Sequence, residues 1–385
     1  MGAYDLVMDP SEISMKLPAI HRRHTHPVRL ANRVGPAGPV VIGGEAPVSV
    51  QSMTNTRTAD VEATVAQIEA LVSAGADIVR VAVPTPADTS ALPAILARSP
   101  VPVVADVHFH FDRAIEAVQA GVAKIRLNPG NISDRDQVRE VIRHCSDAGV
   151  AIRVGVNEGS VVDRLDPGRR LADLQQPLHA LMVEKLASYL ELFDEAGFGE
   201  LVLSAKSHDA VTCIEVNRLL ARRWDHPLHL GVTHAGTPAS GAIRSAAALG
   251  ALLAEGIGQT VRISYAGDPV HEVEAAVELL ASLRLRKRRG IDLIACPTCG
   301  RIQMDLAPIA ERIRAALADV TEPVTVAVMG CVVNGPGEAE GADVAVCAGK
   351  GKALLYRRGR KVRTLSQEEI VDAVVAEVRR IAAQR

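Results

Sequence analysis

The chain has 385 residues, 48% hydrophobic and 23% charged, with only four Phe, four Tyr and one Trp, which is room for about two domains of roughly 150 residues each. Forty-three Lys plus Arg against 45 Asp plus Glu leave a net charge of −2, which excludes a strongly polyanion-binding protein but allows a local basic site. So few aromatics make no base-stacking platform for nucleic acid.

No apolar run approaches the roughly 20 residues of a membrane helix, since the richest, Ala246 to Leu253, soon meets Glu255. Asp5, Asp9, Glu12 and Lys16 interrupt the N-terminus, so no leader is expected there. A cytoplasmic protein with neither membrane nor nucleic-acid partners is the expectation. Four of six cysteines fall in the last quarter of the chain, which suggests a metal or redox site in a reducing compartment.

Residues 1–39 carry Pro18, Pro27, Pro36 and Pro39 without sustained periodicity and read as a mostly irregular arm. From about Val48 a rhythm begins: a short β-branched run, a polar loop, an Ala/Leu-rich helical stretch, and the next run. The runs are Val48 to Ser52, Ile78 to Val83, Val103 to Val107, Lys124 to Asn128, Ile152 to Asn157, Leu201 to Lys206, Leu228 to Thr233 and Val261 to Tyr265. Eight β-then-α units predict a (β/α)8 TIM barrel over residues 40–285. No glycine-rich dinucleotide fingerprint follows the first run, which argues against an open doubly wound sheet.

The basic run Arg284 to Arg289 breaks the rhythm, so residues 286–290 read as a linker. Residues 291–385 then alternate strand, helix, strand, loop, hairpin and final helix, the order of a small α+β domain.

In a barrel of this kind chemistry sits at the C-terminal ends of the strands. Arg80, Arg126, Arg153, Lys206 and Arg262 come there from five different runs, joined by Asp106, His108, Asn128, Asn157, Ser204 and Thr233. Converging cations need an anion, and guanidinium groups match phosphate oxygens bidentately. A diphosphate or doubly phosphorylated substrate follows. Lys206 also admits a second reading, a Schiff-base nucleophile in an aldolase or isomerase with a structural zinc at the cysteines.

Cys296 and Cys299 form a C-x-x-C, with Cys331 beyond in Met329 to Glu338; the C-x-x-C alone is shared by zinc ribbons, thioredoxin motifs and iron–sulfur proteins. Cys347 lies in an apolar strand-like run and reads as a buried thiol, as do Cys145 and Cys213 in helical stretches. Three remaining thiols suit a four-iron cluster with a weaker fourth ligand, for which Glu338 is the candidate.

Met329 to Glu338 (MGCVVNGPGE), together with Cys296 to Arg301 (CPTCGR), resembles the iron–sulfur domain of the 4-hydroxy-3-methylbut-2-enyl diphosphate synthases in its bacterial two-domain form. Val50 to Thr56, Ile125 to Asn131 and Pro227 to Thr233 are similar to that family's strand-end segments. The resemblance spans residues 27 to 385. It implies a TIM barrel followed by a ferredoxin- or sulfite-reductase-like cluster domain, and the two-electron reductive opening of 2-C-methyl-D-erythritol 2,4-cyclodiphosphate. It further implies a [4Fe-4S] cluster on Cys296, Cys299, Cys331 and Glu338, a diphosphate clamp of Arg80, Arg126, Arg153 and Lys206, and Asn334 reaching the substrate. Reduced flavodoxin or ferredoxin would donate electrons, and a homodimer would bring the cluster domain of one subunit to the barrel of the other. One departure stands out: where the family usually carries a glutamate as proton donor after the seventh strand, this chain has His234. A histidine can donate a proton near neutral pH but supplies no negative charge.

Overall fold

The computed structural model describes residues 19–108, 110–132, 134–161, 176–297, 299–331, 333 and 335–385, and it divides into two compact units between Arg286 and Lys287. Asn334 and the first 18 residues of the expected arm lie outside the described residues.

In the first unit a hairpin of β1 (Val28–Leu30) and β2 (Val40–Ile42) precedes eight parallel strands. These are β3 (Ser49–Met53), β4 (Ile78–Ala82), β5 (Val103–Asp106), β6 (Lys124–Leu127), β7 (Ala151–Asn157), β8 (Leu201–Lys206), β9 (His229–Leu230) and β10 (Thr260–Val261). Their order is β8-β7-β6-β5-β4-β3-β10-β9, and a parallel bridge from Leu203 to Leu228 brings the two ends of the sheet together. A helix follows each strand, from Val61–Ala74 after β3 to Pro269–Ser282 after β10. The last two strands are only two residues long, much shorter than their apolar runs, because the ladder there follows few register pairs.

Alternation along the strands sorts side chains between two surroundings. Val79 and Val81, Ile125, Ile152 and Val154, and Leu201 and Leu203 pack in the main core beneath the helices. Their neighbours turn the other way, and there the sequence is polar: Ser49, Gln51, Arg80, Asp106, Lys124, Arg126, Arg153, Ser204, Lys206 and His229 are all buried. Barrel interiors are usually filled by branched apolar side chains; much of this one is lined by polar and charged groups.

The sequence reading places Val28–Leu30 in an irregular arm, whereas the structure makes it a strand. Three-residue strands are too short to show a period, and what fixes this one is burial. Val28, Leu30 and Ile42 are fully buried against Ile78, Val104, Ala123, Ala151 and Val202, residues at or near the starts of β4 to β8. The hairpin therefore forms an apolar floor to the barrel.

The second unit is a mixed sheet ordered β11 (Ile291–Ala295), β12 (Val324–Met329), β13 (Val344–Gly349), β14 (Lys352–Arg357) and β15 (Arg360–Leu365). The first three strands run parallel and the last two return as antiparallel neighbours. Helices Leu306–Ala316 and Ile370–Ala382 pack on the sheet through Ile309, Ile313, Val374, Val378 and Ile381. The basic run between the units is partly engaged: Arg286 donates to Asp77 at 2.7 Å and 3.2 Å and to the Gly75 carbonyl at 3.1 Å.

Candidate active site

The strand ends place Arg80, Arg126, Arg153, Lys206 and Arg262 around the barrel interior, none more than partly exposed. Asp106 is their shared anion. Its Oδ1 accepts from Arg126 Nη1 at 3.3 Å, and Arg80 Nε lies 3.7 Å from Oδ2. Burial alone disfavours its ionisation, yet Arg80 and Arg126, aided by His108 and Arg153, hold the carboxyl well below the usual range. His108 sits at the rim with Nε2 2.9 Å from Arg126 Nη1 and 3.6 Å from Asp106.

Two partners of these cations carry no sequence signal of their own. Met53 Sδ accepts from Arg80 Nε at 3.2 Å and Nη2 at 3.0 Å, with Arg262 Nη1 at 3.7 Å. Glu272, on the helix after β10, pairs with Arg262 at 3.4 Å while accepting from the Tyr265 amide at 3.0 Å. Burial raises the Glu272 carboxyl above its ordinary value, though Arg262 opposes it. Burial likewise brings Arg262 down to about 10, Arg80 adding to the effect and Glu272 opposing it.

Arg153 and Lys206 are less well served. The Nε and Nη1 of Arg153 are buried without a hydrogen-bond partner among the described residues. Burial first, and then neighbouring arginines, push both Arg153 and Lys206 well below their ordinary values. Lys206 reaches into the space that glycine leaves at position 231: a Cβ there would lie 2.6 Å from Nζ. Buried N–H donors without partners in a cation-rich interior are the chemistry that suits an anion.

The other strand-end residues hold the loops. Asn128 Oδ1 accepts from the Gly130 amide at 3.1 Å. Asn157 brackets Ser160, its amide donating to Oγ at 2.8 Å and its carbonyl accepting from Oγ at 2.8 Å. Ser204 is buried within the barrel, and the Thr233 amide donates to the Ser207 carbonyl at 3.1 Å. His234 is exposed and holds a left-handed backbone with φ of 52°. Next to Asn157 and Lys206, Glu158 accepts from His208 Nδ1 at 2.7 Å and from Ser207 Oγ, a pair that the sequence does not announce.

In the second unit the cysteines follow strand ends. Cys296 continues β11, its amide donating to the Val328 carbonyl at 3.0 Å, and Cys331 follows the neighbouring strand β12 after Gly330. Cys299 is exposed, Cys296 half-buried and Cys331 buried. Gly335–Glu338 winds into a single helical turn, with the Ala339 amide closing on the Gly335 carbonyl at 3.0 Å. Gly335 is required there, since a Cβ would meet Met329 Cβ at 2.9 Å and Cys347 Sγ at 3.1 Å. Glu338 is exposed at the end of that turn.

Three thiols and a carboxylate, with no imidazole among them, are the donor chemistry of an iron–sulfur cluster. Cys296 and Cys331 both follow the C-terminal ends of the adjacent parallel strands β11 and β12. No group of three or more His, Cys, Asp or Glu is drawn together closely enough to grip an ion among the described residues. Cys347 is fully buried in β13, and burial, with Cys331 nearby, pushes its thiol up to about 11. Cys145 and Cys213 are buried in helices of the first unit, with thiols pushed up by burial to about 12 and about 11.

The chain matches the GcpE TIM-barrel domain over residues 33–277 and the GcpE protein C-terminal domain over residues 292–380. It is 45% identical over 377 residues to the 4-hydroxy-3-methylbut-2-en-1-yl diphosphate synthase (flavodoxin) of Bifidobacterium longum, covering 98% of this chain and 90% of that protein. The synthase of the same name from Geobacter sulfurreducens is 47% identical over 348 residues, 90% of this chain and 97% of the relative. That from Salinispora arenicola is 47% identical over 355 residues, 92% and 90% of the two chains.

Proposed function

The chain belongs to the GcpE family of 4-hydroxy-3-methylbut-2-en-1-yl diphosphate synthases, and from that premise we propose how its own residues divide the work. The enzyme is an iron–sulfur oxidoreductase of isoprenoid biosynthesis, converting 2-C-methyl-D-erythritol 2,4-cyclodiphosphate reductively to 4-hydroxy-3-methylbut-2-enyl diphosphate. We assign substrate binding to residues 40–285 and cluster binding to residues 291–385.

The observation that carries this assignment is the unbalanced charge of the barrel interior. Among the described residues, Arg80, Arg126, Arg153, Lys206 and Arg262 meet only Asp106 and Glu272 as buried carboxylates, and Arg153 keeps two unpartnered donors. A cyclic diphosphate supplies the missing negative charge. Reduction takes two electrons and a proton, breaks the ring C–O bond at the phosphate and releases water. The freed phosphate oxygen gains a negative charge among cations already in place, which lowers the barrier without reorganisation. Asp106, fixed between Arg80 and Arg126, keeps those guanidiniums aimed inward. His108, Asn128, Asn157 and Ser204 complete the polar wall in this reading.

Cys296, Cys299 and Cys331, with Glu338, would hold a [4Fe-4S] cluster, which supplies the electrons one at a time. A carboxylate is an exchangeable fourth ligand where a thiolate would not be. Asn334 would contact substrate from that domain, and His234 would deliver the proton to the departing hydroxyl. We infer reduced flavodoxin, or ferredoxin, as donor, a cytoplasmic setting in keeping with six free cysteines, and a homodimer in which each cluster domain serves the partner's barrel. The Schiff-base reading of Lys206 gives way, because the cyclodiphosphate has no carbonyl for an amine to attack.

The test is turnover. Anaerobically prepared enzyme should convert the cyclodiphosphate with reduced flavodoxin, and Arg153→Met should retain its iron yet lose substrate affinity. Undiminished affinity in that variant would remove the barrel from the substrate site.

A further inference from the structure

Lys124 has no part in the chemistry above, yet it lies in the same interior. Its side chain is wholly excluded from solvent, and its Nζ has no hydrogen-bond partner among the described residues. It precedes Arg126 by two positions on β6, so it faces the same way one step closer to the floor.

The charged and titratable groups around it come from every neighbouring strand. Arg80 stands on β4, Asp106 on β5, Arg126 on β6 and Arg153 on β7. Lys206 ends β8, His229 begins β9, and Arg262 follows β10 with Glu272 beside it. Asp106 is already taken by Arg80 and Arg126, and Glu272 by Arg262. Among the described residues no carboxylate remains for Lys124.

An isolated ammonium in such surroundings is expensive, because it has lost water and gained only like charges. The arginines cannot relieve the repulsion by shedding protons, whereas a lysine can. Burial, then Arg153 and Arg80, moves the Lys124 amine well below its ordinary value. A bound diphosphate reverses the balance by bringing two negative phosphoryl groups to the strand ends above it.

We propose that Lys124 is a neutral amine in the substrate-free barrel and takes up a proton from solvent when a diphosphate occupies the strand ends, so that substrate binding and proton uptake are a single linked event. This rests on the reading of the barrel mouth as the diphosphate site. Lys124 acts as a positioning residue that adjusts the charge of the interior to its ligand. Opening the ring adds a negative charge, so the product holds that proton at least as firmly.

The experiment is calorimetric titration of cluster-loaded, full-length enzyme, without electron donor, with the cyclodiphosphate in two buffers of different ionisation enthalpy. The difference in observed heat gives the protons taken up. Wild type should take up as much as one proton near neutral pH, and Lys124→Met should bind substrate while losing that uptake. Uptake equal in both proteins would place the proton elsewhere, Lys206 being the obvious acceptor, and would overturn the proposal. Should Lys124→Met fail to fold, Lys124→Gln and the wild type's own pH dependence decide. Kd should weaken as pH rises, by at most about tenfold per pH unit for a single linked proton, and a flat Kd would overturn the proposal. If wild type binds no cyclodiphosphate at all, it is the assignment of the mouth that fails.

Discussion

Arg126 reaches across from β6 to place Nη1 3.3 Å from Asp106 Oδ1 on β5. One carboxylate thus stands between Arg126 and Arg80, where register already sets Asp106 opposite Arg126. Asp106→Asn would leave those guanidiniums buried without their counter-charge, and barrel stability should fall by about 3–5 kcal/mol at neutral pH. The sign of the pH effect follows from the depressed carboxyl. Its contribution is complete above the unfolded-chain value near 4 and fades as pH falls from there toward the folded value. Urea unfolding at pH 7 and at about pH 3 should show the variant's deficit shrinking in acid; an equal deficit at both would contradict the ion-pair account.

Arg153 should behave in the opposite sense. Its unpartnered donors make it a cost to the substrate-free fold, so Arg153→Met should melt at or above the wild-type temperature. Its affinity for the cyclodiphosphate should nonetheless fall by about 10- to 150-fold, the worth of hydrogen bonds to a charged group. Thermal melts beside a binding titration separate the two effects.

The cysteines should divide cleanly by place. Serine at Cys296, Cys299 or Cys331 should abolish iron and sulfide retention after anaerobic reconstitution, whereas Cys347→Ser, inside β13, should keep both. Glu338→Ala should retain a cluster with an altered visible spectrum. Full iron content in Cys331→Ser would refute the proposed ligand set.

His234 offers a test of acid catalysis with a backbone control. Its left-handed φ costs roughly 1 kcal/mol in any residue with a Cβ, so His234→Gly should be slightly more stable than His234→Ala. Both should lose turnover and the basic limb of the pH profile if the imidazole gives up the proton, while His234→Glu should restore turnover with a profile shifted toward acid. Unchanged pH profiles in the glycine and alanine variants would exonerate His234.

Much of this was written in residue order. Eight β-branched runs lay in plain view, and Arg80, Arg126 and Lys206 announced themselves as charges at the ends of apolar runs. Lys124 and His229 belong to the same strict alternation but stand early in their runs, where attention to strand ends overlooks them. Met53 and Glu272 became visible only in three dimensions, because a thioether and a helix carboxylate are ordinary until an arginine turns toward them. The β1–β2 floor was hidden by its brevity. For the cysteines, spacing alone left zinc and iron open, and it was the longer motif that separated them.

The hairpin floor has a consequence for traffic. With Val28, Leu30 and Ile42 sealing one end, the barrel is a vessel rather than a tube. Substrate, product and the water that is released must share a single doorway. Product must therefore depart before the next substrate can enter, and accumulated product should compete directly with substrate for the free enzyme.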